Sequence, residues 1–237
     1  LNIIKMKPGQ KFRNALKNNK PLIIPGTINA YSAKLAELAN HNSIYLSGSG
    51  VAAASYGLPD LGVTTLENVL IDAKRITSAT SLPLLVDIDT GWGDFDAISN
   101  TIIEMGNANV AAVHIEDQIF DKRCGHRPNK QLVSIDEMQD RLKAALDAKI
   151  DDSFFIMART DALASEGIEK AIERCGKYLD VGADGIFFEA AVSIEEYKEF
   201  KNNFSAPLLA NITEFGKTPL FTQKELSDVG VDMVLYP

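Results

Sequence analysis

Apolar and polar positions alternate in blocks along the chain. Short apolar or β-branched runs recur at 22–25, 43–46, 82–87, 110–116, 154–159, 185–189, 207–211 and 231–236. Near-continuous apolar character over so few residues marks strands covered on both faces, as in a parallel sheet. Helical patterns fill the gaps. Thr64/Glu67, Ser134/Glu137, Ser193/Glu196 and Thr222/Glu225 have the capping-box spacing that closes the first turn of a helix. Met138, Leu142, Ala145 and Leu146 form one apolar stripe, and Ile168, Ala171, Ile172, Cys175 and Leu179 form another. Such stripes pack on a sheet. Eight strand–helix units predict an α/β fold, a (β/α)₈ TIM-type barrel, with residues 1–237 as one barrel domain. A doubly wound open sheet is the structural rival. Residues 9–19 predict an extra leading helix. No helix follows the eighth strand in this sequence, so the final helix of the barrel is expected to be missing from this chain.

Composition narrows the class. The chain has 237 residues, 46% of them hydrophobic and 24% charged, with a formal net charge of -8. The sequence pI is about 5.0 and the mean hydropathy is -0.04. This is ordinary globular composition, which excludes disordered, collagenous and disulfide-scaffold classes. The acidic balance argues against a nucleic-acid partner. No apolar run reaches about 18 residues, so no membrane span is expected. The two cysteines, Cys124 and Cys175, form no CxxC pair. A reducing, cytoplasmic location is expected. The first residues read as neither a signal peptide nor an initiator, so a trimmed start is expected.

In a barrel of this type the active site lies at the C-terminal ends of the strands. Six consecutive apolar runs end there in polar residues: Tyr45-Leu46-Ser47-Gly48-Ser49-Gly50, Asp87-Ile88-Asp89, His114-Ile115-Glu116-Asp117, Arg159-Thr160-Asp161, Glu189, and Asn211-Ile212-Thr213-Glu214. Any one of these could be a solvated loop residue. As a set they point to paired, metal-bound or functional groups, because burying unpaired charge is costly. Asp87 and Asp89 are two apart and can share one face of a strand, as can His114 and Glu116. Such an oxygen-rich set suits Mg²⁺ or Mn²⁺. For His114 a satisfied core position is favoured over ligation. The Ser47–Gly50 segment fits either a carboxylate-binding turn or a plain tight turn.

Lys122-Arg123-Cys124-Gly125-His126-Arg127 surrounds a cysteine with cations. Positive charge favours thiolate, so a lowered Cys124 pKa is expected. A basic loop here could close over an anionic substrate and exclude water. Cys175 lies on a helix stripe and reads as core.

Four segments carry a family resemblance: residues 45–60 (YLSGSGVAAASYGLPD), 87–93 (DIDTGWG), 114–118 (HIEDQ) and 122–130 (KRCGHRPNK). Together they resemble the isocitrate lyase/phosphoenolpyruvate mutase superfamily, most closely its methylisocitrate lyase branch. The similarity runs along essentially the whole chain. The resemblance implies a (β/α)₈ barrel that assembles as a homotetramer, with the eighth helix swapped between subunits. It implies a lyase that takes a small anionic tricarboxylate, 2-methylisocitrate, to pyruvate and succinate by metal-dependent retro-aldol cleavage. Propionate degradation through the methylcitrate cycle is the setting this implies. Asp87 and Asp89 would hold Mg²⁺, with Mn²⁺ possible, and Asp60, His114 and Glu116 would support them. Ser47, Gly48 and Ser49 would bind the pyruvate carboxylate. Gly125, Arg159, Glu189, Asn211, Ile212 and Thr213 would bind other substrate oxygens. Cys124 would act as the general acid, with Lys122, Arg123 and His126 beside it on the closing loop, and Tyr45 is the candidate base. Ser49 departs from the glycine common at that position in the family.

Other functions remain open at this level. Isocitrate lyase and 2,3-dimethylmalate lyase share the metal and the cysteine, and a substrate methyl is worth only about 1–3 kcal/mol of discrimination. A non-catalytic barrel that binds metal and carboxylates is the non-enzymatic reading.

Overall fold

Strand periodicity decides the architecture. The computed structural model describes residues 6–127 and 129–237. The reading of the first residues and Pro128 of the loop motif lie outside them. The strands are β1 (Leu22–Pro25), β2 (Ile44–Leu46), β3 (Leu84–Asp87), β4 (Ala112–Glu116), β5 (Phe155–Thr160), β6 (Gly185–Phe188), β7 (Leu208–Asn211) and β8 (Met233–Tyr236). All pair in parallel, in the order β1-β8-β7-β6-β5-β4-β3-β2. A parallel bridge between Gly26 and Tyr45 closes β1 on β2, so the sheet is a barrel and not the open rival.

The helices are α1 (Pro8–Asn18), α2 (Ala30–Leu38), α3 (Gly48–Gly50), α4 (Leu66–Ala79), α5 (Phe95–Asn107), α6 (Ile135–Asp147), α7 (Leu163–Glu166), α8 (Ile168–Val181), α9 (Ile194–Asn203) and α10 (Gln223–Asp228), with a π-helical stretch at Val51–Ser55. Capping boxes form at Ser193/Glu196 and Thr222/Glu225 as expected. The box of α4 sits one residue later, at Thr65 and Asn68. Ser134 caps α6, but Glu137 turns to Arg141 instead of completing the box.

Alternation along each strand builds two layers of core. Leu22, Ile24, Leu85, Ala112, Phe155, Met157, Leu209, Met233 and Leu235 fill the interior. Val86, Val113, Ile115, Ile156, Ala158, Ile186 and Val234 face outward into the helix layer, where Met138, Leu142, Ala145, Ala171 and Cys175 meet them. The leading helix α1 plugs the lower end with Phe12 and Leu16. Gly9 is required there: a Cβ would lie 2.3 Å from the Ser153 carbonyl oxygen.

Candidate active site

The same alternation selects which strand-end residues face the pocket. Continuing inward from Leu85, Ala112, Met157 and Leu209 brings Asp87, His114, Glu116, Arg159 and Asn211 to the upper interior. The register sets Asp87 beside His114 and Glu116 beside Arg159. Ile212 and Asp117 fall on the opposite parity. Ile212 is buried in the outer core, which corrects its assignment to substrate binding. Asp117 accepts bonds from Thr160, Tyr178 and the Asp161 backbone, and so is structural.

Asp87 and Asp89 converge, but not through strand alternation. The strand ends at Asp87, and Asp89 lies in a turn at φ 47 with its N–H donated to Asp87 Oδ1 at 3.0 Å. Ligand atoms of Asp87, Asp89 and Glu116 lie within 4.8 Å of one another, all buried. Glu116, expected only to support the ligands, can thus reach the metal position itself. Asp89 Oδ1 and both Glu116 carboxylate oxygens are buried and accept no aligned hydrogen bond. Their nearest cations are Lys122 Nζ, 2.7 Å from Asp89, and Arg159 Nη1, 3.2 Å from Glu116. Unsatisfied buried oxygens grouped this tightly fit a hard divalent cation. Gly48 makes room for the cluster: its N–H donates to Asp87 Oδ2 at 3.1 Å, and a Cβ there would meet the same carboxylate. That N–H is therefore committed to Asp87, not to a substrate carboxylate. Ser47 and Ser49 do line the pocket.

The pocket has a volume of about 320 Å³ and lies between these groups and the cysteine loop. Lys122 is buried and paired to Asp60 and Asp89. Arg159 is held by Asp161 through Nε at 2.9 Å and Nη2 at 3.2 Å, with its guanidinium carbon 5.2 Å from the Phe187 ring centre. Gly125 presses on this arginine: a Cβ would lie 2.3 Å from Glu189 Oε1 and 2.4 Å from Arg159 Nη2. His126 Nδ1 accepts the Lys217 N–H at 3.0 Å. His126 Nε2 lies 3.3 Å from Glu189 Oε1. Asn211 donates to Glu189 at 3.2 Å and accepts from Thr213 at 2.9 Å. The loop thus sits closed over the barrel mouth. Arg123 does not join it: its side chain is exposed, while its backbone is clamped from both sides by the Gln118 amide. Its expected catalytic place is corrected accordingly.

Electrostatics revise two further expectations. Burial pushes the Cys124 thiol up, with Asp60 and Glu189 adding to the shift, and prevails over the His126 backbone hydrogen bond and the Arg159 charge. The flanking Arg123 and Arg127 point to solvent, so the expected thiolate gives way to a protonated thiol. Burial, with Asp87 next, also raises the Tyr45 phenol well above its ordinary range. It lies 3.0 Å from His114 Nε2. Burial lowers His114 to about 4, so it is neutral. Tyr45 is thus a hydrogen-bonding phenol and no ready base. Burial and the Asp87 charge raise Asp89 to about 6. Burial also acts to raise Asp87, but His114, Lys122 and Arg159 outweigh it and hold that carboxyl low.

Sequence reasoning missed Lys130, which is buried and bonded to the Gly125 carbonyl and Asp161. It also missed Gly26, Thr27 and Ile28 at the end of β1, and Phe187. A charged residue closing the loop motif was the available signal for Lys130. Backbone and apolar lining leaves no chemical signature.

The comparisons agree with this geometry. A phosphoenolpyruvate phosphomutase family profile matches residues 12–237. A 2-methylisocitrate lyase of Shewanella oneidensis is 60% identical over 229 residues, covering 97% of this chain and 78% of that protein. The crystal structure of a 2,3-dimethylmalate lyase superposes with a TM-score of 0.93 at 34% identity, covering 98% of this chain and 79% of the other. A phosphonopyruvate hydrolase complexed with oxalate and Mg²⁺ superposes with a TM-score of 0.84 at 29% identity, covering 97% and 80%. Barrel, buried acidic cluster and family profile together make this chain a member of the phosphoenolpyruvate phosphomutase family, within the phosphoenolpyruvate mutase/isocitrate lyase superfamily.

Proposed function

We propose that this barrel is a carbon–carbon lyase that cleaves 2-methylisocitrate to pyruvate and succinate. One observation carries the reading: a half-buried cysteine on a closed loop faces the same small pocket as a buried acidic cluster and a fixed arginine. The 60% identical relative supports the choice of substrate.

Asp87, Asp89 and Glu116 would hold the cation, which we take to be Mg²⁺. When bound, it supplies charge that favours ionisation of a substrate hydroxyl and polarises a carbonyl. The acidic excess around the pocket makes such a cation a condition for admitting a polycarboxylate. Asp60, Asp87, Asp89, Glu116, Asp161 and Glu189 outnumber Lys122, Lys130 and Arg159 two to one.

Cleavage passes the hydroxyl proton to water in the pocket and breaks the adjacent C–C bond. The hydroxyl-bearing carbon becomes the ketone of pyruvate, and the bonding pair moves onto the succinate half as an aci-carboxylate. Arg159 and Lys122 stabilise that charge. Cys124 then delivers the proton to carbon as general acid, the role for which a raised thiol pKa is suited. Ser47 and Ser49 bind a substrate carboxylate, and Asn211, Thr213 and His126 bind oxygens of the succinate half. Tyr45 orients the hydroxyl. Residues 1–237 act as one domain in this reading. A homotetramer also belongs to it, supported by Tyr31, Leu35 and Leu38, which are exposed along one face of α2. We place the enzyme in the cytoplasm; among the described residues no helix is long and apolar enough to cross a membrane.

The test is keto-acid release from 2-methylisocitrate, isocitrate and 2,3-dimethylmalate, with Mg²⁺ and with EDTA. Metal-dependent pyruvate from methylisocitrate in large excess over the other cleavages is the expected result. Preference for isocitrate or dimethylmalate would move the assignment within the family. No cleavage of any would leave the metal- and carboxylate-binding reading.

A further inference from the structure

Lys130 is a charged side chain that the proposed chemistry does not use, yet it is only 2% exposed. Its Nζ donates to the Gly125 carbonyl at 2.7 Å and to Asp161 Oδ1 at 2.8 Å. Burying an ammonium is costly unless its donors are well placed. Charge balance at Asp161 does not explain it, because Arg159 already meets both oxygens of that carboxylate. What Lys130 adds is a tie between two parts of the structure. Gly125 belongs to the cysteine loop. Asp161 belongs to the end of β5, where Asp117 Oδ1 accepts its N–H at 2.9 Å.

We infer that Lys130 is the latch of the cysteine loop, a positioning residue that holds the Gly125 carbonyl against the barrel and so keeps Cys124 over the pocket. Two other anchors act earlier along the loop: Gln118 grips the Arg123 backbone, and Lys122 pairs with Asp60 and Asp89. After the cysteine, His126 meets Lys217 and Glu189 through its ring, and Lys130 is the side chain that holds the loop backbone itself, at Gly125, where the loop touches Arg159 and Glu189. Through Asp161, the ammonium that seats the loop also helps set the arginine on which the loop closes. This inference rests on the loop being the lid of the lyase site.

The experiment measures iodoacetamide labelling of Cys124 in the full chain beside turnover of 2-methylisocitrate. Cys175 is fully buried, and a Cys124→Ser control identifies the labelled thiol. Lys130→Met removes the latch and leaves Asp161 paired with Arg159, so the fold should persist. Labelling is expected to rise about tenfold or more, and kcat to fall about ten- to a hundredfold, the range for a hydrogen bond to a charged group. Lys130→Arg keeps a cation beside Asp161 and serves if the Met variant does not fold. Its labelling is expected between the wild-type and Met rates. A residue with only a structural role would shift the melting temperature and leave labelling alone. Labelling at the wild-type rate in either folded variant overturns the latch. Faster labelling with unchanged turnover upholds the latch and overturns the loop's part in the reaction.

Discussion

Gly125→Ala is the sharpest perturbation available to this site. A methyl there would lie 2.3 Å from Glu189 Oε1 and 2.4 Å from Arg159 Nη2. Ordinary contact distances for carbon are about 3.5 Å, so something must move by about 1 Å. Neither partner can yield easily. Arg159 is fixed by Asp161 and Glu116, and Glu189 by Asn211 and His126. The loop must therefore lift, and Cys124 with it. A 1 Å misplacement of a reacting group costs about 10²-fold in rate, or about 2.7 kcal/mol at the transition state. Stability should barely change, because the loop lies outside the barrel core. The assay pairs continuous keto-acid release with thermal unfolding. A melting temperature within about 4 °C of wild type and a hundredfold loss of kcat is the expected pair. Gly176→Ala is the control: its Cβ would meet Phe204 at an ordinary 3.4 Å, inside helix α8, and should leave activity intact. Gly125→Ala turnover within threefold of wild type would refute the closed-loop argument.

Further measurements follow. Cys124→Ser should lose most turnover while binding Mn²⁺ as the wild type does; near-normal turnover would sink the acid assignment. EDTA should abolish cleavage, with Mg²⁺ or Mn²⁺ restoring it. Asp89 sits at about 6 in the metal-free protein, burial raises Glu116 well above its ordinary range, and both must be ionised to bind, so Mn²⁺ affinity should fall at least about tenfold per pH unit below 6, checked by calorimetric titration at pH 7 and 5. Asp161 runs the other way. Burial acts to raise it, but Arg159 and Lys130 prevail and hold it at about 2, below its ordinary 3.8. Its stabilisation, about 2 kcal/mol, is present above pH 4 and lost as pH falls toward 2, so the acid limb of urea unfolding should flatten in Asp161→Asn. Ile212→Ala should cost about 2–5 kcal/mol of stability with little change in KM, as its place in the outer core requires.

The barrel was legible in the sequence because parallel strands buried on both faces leave unbroken apolar runs. All eight were found, with boundaries off by one or two residues where a run began before the ladder did, as at Val110 and Val231. The polar strand ends were equally legible, but their facing was not. Ile212 sits between two residues that line the pocket, and only the inward parity of Leu209 and Asn211 shows that it must face away. Loops obey no such parity. Asp89 reaches the cluster through a left-handed turn, and Arg123 leaves the site because its backbone, not its side chain, is what Gln118 holds.

Cys124 shows why sequence neighbours mislead in electrostatics. Four cations or potential cations flank it along the chain, and an argument from proximity gives a thiolate. Folding turns Arg123 and Arg127 outward, spends Lys122 on Asp60 and Asp89, and holds His126 between the Lys217 N–H and Glu189. Near the sulfur, burial leads and the Asp60 and Glu189 carboxylates support it; together they outweigh the His126 backbone hydrogen bond and the Arg159 charge and favour the protonated form. The cations of the motif serve to seat the loop, and the thiol keeps the proton that carbon protonation requires.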